Sequence, residues 1–377
     1  MSAAGLYLHV PYCRFHCPFC SFAVTTDRGS EQAWLDALDR EIVLRAPEWR
    51  VPFDSVYVGG GTPSLLGAEK LGRILRAVRE RFDLLDGAEV TIEANPGTLV
   101  DGEFAALRAL GVNRLSLGIQ SFDESVLKLL GRDHSVEESL WAFDRARREG
   151  FENIVVDLIW GVPGRSLLSW RREMDRLDTL RPEHVSSYQL TFEPGTPLER
   201  RVARGEIAAL SDEEAREHFL ATRERLASLG LEQYEVSSYA REPRFRSRHN
   251  QKYWDGSAYL GLGPSAHSHR DGVRWWNLAQ AKPYIRALEE GGDPVAGREE
   301  LAITARRLER AFLGLRTTHG LDLERYCSEF GDDLASTRKE FIAQCERDGL
   351  VRREGAMLRP TAEGLIVADA IANELLR

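Results

Sequence analysis

The sequence predicts an α/β protein, a partial (β/α)6, TIM-like barrel followed by a small helical, winged-helix-like C-terminal domain. Three features predict it. Short runs rich in β-branched and aromatic residues recur along the first half, the segments between them carry apolar residues every three or four positions, and that rhythm stops near residue 198. Strand and helix in alternation form a parallel sheet joined by crossovers. The units are too few to close a full TIM barrel, so the sheet is expected to stay open or partly closed.

The first run, GLYLHV at 5–10, precedes the loop YCRFHCPFC and then the helical pattern EQAWLDALDREIVLRA. SVYVGG at 55–60 leads to AEKLGRILRAVRERF, and EVTIEANP at 89–96, RLSLGIQS at 114–121 and NIVVDLIWG at 153–161 each precede a further helical stretch. HVSSYQLTF at 184–192 ends the series. Ligands of such sheets belong beyond the carboxyl ends of the strands. Cys13, Gly59 to Gly61, Glu93, Gln120 and Asp157 all fall at or just past a predicted strand end, on one rim. Past residue 198 a charged helix, DEEAREHFLATRERLASLG, leads to QYEVSSYA, a candidate further strand, and then to an irregular basic, aromatic and glycine-rich stretch. From about residue 299 the pattern is helical, with LVRREGAMLRPT readable as a hairpin around Glu354 and Gly355. These changes divide the chain into a core barrel over 1–240, a connecting segment over 241–298 and a winged-helix-like domain over 299–377.

Composition excludes several classes. At 377 residues, 43% hydrophobic and 29% charged, the chain has enough material for a large core. Its net charge of -9 argues against a nucleic-acid partner held through phosphates, so the C-terminal domain is read as a packing module. No apolar run approaches the roughly 20 residues of a membrane-spanning helix, and MSAAGLYLHVPYC lacks the basic and apolar regions of a secretory signal. The five cysteines, an odd number with Cys327 and Cys345 isolated, do not form a disulfide framework. The reducing cytoplasm is the expected location.

Three of those cysteines, Cys13, Cys17 and Cys20, lie within eight residues as C-x3-C-x2-C. Structural zinc usually takes four ligands in paired motifs, which the two distant cysteines cannot complete. A [4Fe–4S] cluster held by three thiolates leaves one iron open to chelate a further ligand. In this spacing, after the first strand of a partial barrel, the loop resembles that of the radical SAM superfamily. The resemblance implies a [4Fe–4S] cluster on Cys13, Cys17 and Cys20, and S-adenosylmethionine (SAM) as a second cofactor. In GGGTPS, Gly59, Gly60, Gly61 and Thr62 resemble the element that receives the methionine amino group. Glu93, Gln120, Arg132 and Asp157 resemble further SAM-contacting positions, and Tyr7 resembles a ring placed against the cofactor. Carboxylates suit hydroxyls or an ammonium, and arginine suits a carboxylate.

Over most of the chain, YLHVPYC, IEANPG, DLIWGVPG, SSYQLTFEPGTP and LGLGPSAHS resemble the coproporphyrinogen dehydrogenase-like branch of that superfamily. Members that oxidise coproporphyrinogen III carry a fourth cysteine, where this chain has Phe22, and an N-terminal extension before the cluster loop. The chain is more similar to the family of HemW-type haem chaperones through HNxxYW, present as His249, Asn250, Tyr253 and Trp254. That resemblance implies haem as a ligand, an acceptor haemoprotein and a reductant for the cluster as partners. It makes His249 the candidate axial ligand, with the Tyr253 and Trp254 rings against the macrocycle and Arg244, Arg246, Arg248 and Lys252 near its propionates. The oxidase remains an alternative, as does another radical SAM enzyme, a methyltransferase or a haem-degrading relative. A simple redox iron–sulfur protein explains the cysteines but leaves the SAM-like positions without a role.

Overall fold

Alternation along the strands builds the molecule. In β1 (Ala4–Val10), Leu6, Leu8 and Val10 are at most 1% exposed and join the main apolar core, while Gly5, Tyr7 and His9 between them face the interior of the barrel. The computed structural model describes residues 3–377. β2 (Phe53–Gly60), β3 (Leu84–Ala94), β4 (Arg114–Gln120), β5 (Ile154–Trp160) and β6 (His184–Gln189) follow in spatial order, each parallel to the last. The intervening helices cover the outer face. The helix Glu31–Arg45, for example, buries Trp34, Leu35, Leu38 and Ile42 at 0–2% exposure, a stripe at helical spacing.

The sheet runs past six strands at both edges. QYEVSSYA is not one strand but a hairpin, β7 (Glu232–Gln233) and β8 (Ser238–Ala240), added antiparallel to β6. The run turns over 234–237, where Tyr234 N–H donates to the Ser238 carbonyl at 3.0 Å while its hydroxyl pairs with His184 Nε2 at 2.8 Å. At the other edge β9 (Tyr259–Leu262) pairs parallel with β1, and β10 (His267–Arg270), β11 (Val273–Asn277) and β12 (Val295–Glu300) continue antiparallel. The stretch expected as an irregular connector therefore supplies a third of the twelve-stranded sheet. Its short strands carry glycine, histidine and arginine in place of an apolar alternation; β9 pairs on the free edge of β1, and the other three add to it in turn.

The same stretch contains the helix Arg248–Asp255, capped by the Ser247 side chain and ended by Gly256 at φ 72°. It closes the N-terminal mouth of the barrel and is called the plug helix below. Glu89 on β3 accepts from the backbone N–H groups of Arg248 and His249 at 3.1 and 3.3 Å, placing a carboxylate at the positive end of the helix. Lys252 reaches Asp54 and the Ala3 carbonyl, both at 2.8 Å.

Beyond Leu301 the chain forms a separate apolar cluster around Leu315, Tyr326, Ile342, Leu358 and Ile371. Helices surround a three-stranded sheet of β13 (Leu321–Asp322), β14 (Val351–Glu354) and β15 (Met357–Pro360), with the hairpin at Gly355 where it was expected. Among the described residues no helix is long and apolar enough to cross a membrane.

Candidate functional site

The loop after β1 is anchored at both ends. Cys13 N–H donates to the Thr25 carbonyl at 3.0 Å, and Thr25 N–H donates to that of Pro11 at 2.7 Å. Between these anchors the loop roofs a cavity of about 680 Å³ at the C-terminal ends of the parallel strands. Cys13, Cys17, Cys20, Gly60, Gly61, Thr62, Glu93, Gln120, Arg132 and Asp157 all line it, although they come from positions up to 144 residues apart (157 − 13). Gly61 has to be glycine, because a Cβ there would stand 2.6 Å from the Tyr12 carbonyl and 3.0 Å from Cys13 Sγ.

Two of the expected positions lie one layer below the cavity. Gly59 packs under Glu93, and Tyr7 donates its hydroxyl to His9 Nδ1 at 3.1 Å. The other nitrogen of His9, Nε2, donates to the Ala23 carbonyl at 3.4 Å, so one neutral ring ties β1 to the cysteine loop. Burial lowers its pKa to about 4 and keeps it neutral.

The cavity is polar below and thiol-lined above. Glu93 accepts from the Tyr57 hydroxyl at 2.8 Å and from Gly60 N–H at 3.1 Å. Burial, aided by the charge of Asp157, still pushes its carboxyl up to about 7. Burial raises Asp157 as well, against a 2.8 Å bond donated by Ser116. Arg132 donates to the Gly118 carbonyl at 3.1 Å and lies 3.7 Å from Cys17 Sγ, while its buried Nε has no partner among the described residues. Gln120 sits at φ 67°, a left-handed conformation for a non-glycine residue, where the β4–β5 register shifts. Such strain at the rim points the side chain where the ladder would not.

The donor set fits a multi-iron cluster. All five cysteines are free, three line this cavity, and Cys327 and Cys345 belong to the C-terminal domain. Burial pushes the Cys13 thiol up to about 11, against a hydrogen bond from Thr62, and raises Cys20 too. Thiolates in such surroundings require a cationic metal group to stabilise them. No trio of His, Cys, Asp or Glu among the described residues converges as the ligands of one ion would. Thiolates of a cluster bind different irons and stand further apart. Arg132 Nε, buried and unpaired, is suited to a ligand carboxylate beside them.

His249, the candidate axial ligand, does not join this cavity. It is 1% exposed at the opposite mouth, where the plug helix inserts it into the barrel. Nε2 pairs with the Tyr253 hydroxyl at 2.8 Å and Nδ1 with Ser55 Oγ at 3.3 Å, so neither nitrogen is open to iron in this conformation. Burial, with the charges of Lys252 and Arg114, lowers its pKa to about 3. The neighbouring basic residues are engaged as well. Lys252 is buried against Asp54, Arg248 donates to the Gly87 carbonyl at 3.0 Å, Arg246 lies over the Tyr234 ring, and Arg244 pairs with Glu242 at 3.1 Å.

Several functional positions escaped the sequence reading. Tyr57 holds Glu93 and lies 5.3 Å from the His249 ring, which links the two mouths of the barrel, and Glu89 anchors the plug helix. The signal that finds them is polar residues two apart, Ser55-Tyr57, Glu89-Thr91-Glu93 and Arg114-Ser116, which mark a polar interior face.

Comparisons with known proteins agree with this architecture. Residues 7–177 match the Radical SAM superfamily, and residues 303–367 match the HemN C-terminal domain. A protein named heme chaperone HemW from Mycobacterium tuberculosis (strain ATCC 25618 / H37Rv) is 40% identical over 99% of this chain and 94% of its own length. Another from Bacillus subtilis (strain 168) is 30% identical over 98% of each. The solved structure of coproporphyrinogen III oxidase (HemN) from Escherichia coli superposes with a TM-score of 0.84 at 25% identity, covering 99% of this chain and 90% of that one.

Proposed function

The chain belongs to the radical SAM superfamily and, within it, to the family of HemW haem chaperones; from that premise we propose that it binds haem and delivers it to an acceptor haemoprotein. Relatedness to heme chaperones over 99% of the chain carries the reading. The cavity under the cysteine loop supports its cofactor half. Cys13, Cys17 and Cys20 would hold a [4Fe–4S] cluster, with SAM on Gly60, Gly61, Thr62, Glu93, Gln120, Arg132 and Asp157. When bound, this pair supplies one-electron cleavage of a carbon–sulfur bond, for which an external reductant is the further partner. The protein's part is orientation. Glu93 and Asp157 accept from an ammonium or hydroxyls, Arg132 Nε receives a carboxylate, and Tyr7 and Gly59 support that layer from beneath. The free thiols fit a reducing, cytoplasmic setting.

A pH dependence follows from Glu93. Its carboxyl titrates at about 7, and a hydrogen-bond donor or cation in the cavity is held best by the ionised form. Below that pH the group is protonated and must lose its proton on binding, so SAM affinity should fall by up to about tenfold per pH unit. Isothermal titration of the reconstituted protein between pH 6 and 8.5 checks this. Glu93→Gln should bind more weakly at the upper end and show a flat profile; an unchanged slope would remove Glu93 from the SAM site.

Anaerobic haem titration followed by transfer to an apo-haemoprotein tests the chaperone reading directly. The same preparation, with SAM and a reductant, should leave coproporphyrinogen III unchanged, since Phe22 occupies the oxidase's fourth cysteine position and is 65% exposed at the rim. Appreciable turnover would restore the oxidase reading.

A further inference from the structure

Two donors from a single strand grip the carboxylate of Glu93 in the cofactor cavity. The Tyr57 hydroxyl donates to Oε1 at 2.8 Å and Gly60 N–H donates to Oε2 at 3.1 Å, both from β2, while Glu93 stands on the adjacent β3. Each oxygen thus has one lone pair committed and one left for a ligand. A carboxylate held at both oxygens cannot turn about its terminal torsion without losing a bond.

β2 is shaped to allow this grip. A Cβ on Gly59, between the two donors, would stand 2.9 Å from Tyr57 Cε1 and 3.0 Å from Glu93 Oε1, so the glycine is what lets the ring and the carboxylate meet. Gly60 follows at φ 110°, a conformation that favours glycine, with its N–H aimed at Oε2. The Tyr57 ring, which lines the cavity, is itself held from two sides. It lies 6.2 Å from the Tyr7 ring of β1 at 31° and 5.3 Å from the His249 ring of the plug helix at 32°. Its hydroxyl is therefore in place before any ligand arrives.

The other charged and titratable groups that face Glu93 come from every side of the barrel. They are Tyr7 on β1, Arg114 on β4, Asp157 on β5, Tyr188 on β6 and Tyr253 on the plug helix, with Arg132 and the three thiols across the cavity. Asp157 opposes ionisation of Glu93 and Arg114 favours it. Among the described residues, Tyr57 is the one side chain that hydrogen-bonds it.

We propose that Tyr57 is a positioning residue of the SAM site, its hydroxyl orienting the ionised Glu93 carboxylate toward the ammonium or hydroxyl donors of the ligand; the assignment rests on the reading that Glu93 contacts SAM. The test is SAM titration of the reconstituted full chain, wild type against Tyr57→Phe, between pH 6 and 8.5 at matched iron content. The substitution keeps the ring and removes only the hydroxyl. A donor that favours the carboxylate also keeps the proton off it, so its loss should raise the pH at which Glu93 ionises by about one unit. Affinity relative to wild type should then be about tenfold weaker at pH 6 and within about twofold at pH 8.5, a ratio from which any titration of SAM itself cancels. A hydroxyl that served packing alone would give a ratio independent of pH. In a Glu93→Gln background, where the side chain no longer titrates, Tyr57→Phe should lose its pH dependence. A pH-independent ratio, or the same pH-dependent ratio in the Glu93→Gln background, would overturn the proposal. Wild-type affinity of Glu93→Gln at every pH would instead take Glu93 out of the SAM site, and the proposal would fall with that reading.

Discussion

Replacing any one of Cys13, Cys17 and Cys20 with alanine is expected to abolish anaerobic reconstitution of a [4Fe–4S] chromophore, while Cys327→Ala and Cys345→Ala leave it intact. Those three thiols line one cavity on one loop, and no other cysteine lines it. Cys345 is 4% exposed in the core of the C-terminal domain, and Cys327 lies on the helix Leu323–Phe330 of that domain. A three-thiolate site has no spare protein ligand, so loss of one sulfur should prevent assembly rather than weaken it. Iron content and the visible absorption of the reconstituted protein are the measurements. Loss of the cluster in Cys327→Ala, or its retention in Cys17→Ala, would refute the assignment. Because burial holds Cys13 protonated up to about pH 11, loading should also release protons, which a lightly buffered reconstitution would register.

The rim of this site was legible because its chemistry coincides with strand ends. A residue at the end of a parallel strand has its position set by the ladder, so Glu93 on β3 and Gln120 on β4 were placed together without knowledge of any loop; Asp157 was expected at a strand end but lies midway along β5, and it lines the cavity from within the barrel. The plug helix was not legible in the same way. Its residues RHNQKYWD are polar enough to read as a surface turn, and for most barrels that reading would stand. It fails here because the barrel interior is itself polar. Arg114 is 1% exposed, with Nε and Nη1 lacking hydrogen-bond partners among the described residues and Nε 4.0 Å from the carboxylate of Glu89, itself 5% exposed. A helix bearing His249 and Lys252 can close such a mouth without burying charge against hydrocarbon. The β9–β12 strands were missed for a different reason. Only β9 is fixed by the edge of β1, some 250 residues earlier (259 − 4 = 255), and a local window carries no trace of that pairing; β10 and β11 form a local hairpin turned at Asp271 and Gly272, at φ 54° and 77°, whose polar strands hid an otherwise readable turn.

Glu41→Ala is expected to destabilise the barrel by about 3–5 kcal/mol, the largest effect anticipated away from the cofactor cavity. Glu41 lies on the apolar stripe of the helix Glu31–Arg45 and is 0% exposed. Its carboxylate accepts from Gly263 N–H at 2.8 Å, Asn277 Nδ2 at 2.7 Å and the Tyr284 hydroxyl at 2.7 Å, with Arg45 Nε at 4.0 Å. Burial raises its pKa, while those three donors and Arg45 pull it back. One side chain thus joins the first crossover helix, the turn after β9 and the helix Ala281–Glu289. Alanine leaves three donors in a dry interior, and each orphaned group carries its own desolvation penalty. Glu41→Gln keeps one acceptor but turns an amide N–H₂ toward groups that are themselves donors, so it should fall between alanine and wild type. Denaturant midpoints and hydrogen exchange of the 259–277 segment measure this, and a loss of less than about 0.5 kcal/mol for alanine would show that water or a rearranged turn satisfies the donors. The effect should spread to the cofactor side. Gly263 sits at φ 95°, where a Cβ would stand 2.5 Å from the His9 carbonyl, so the turn that Glu41 holds packs against the strand that carries the cysteine loop. Loosening it should therefore lower the yield of cluster reconstitution as well as the stability of the fold.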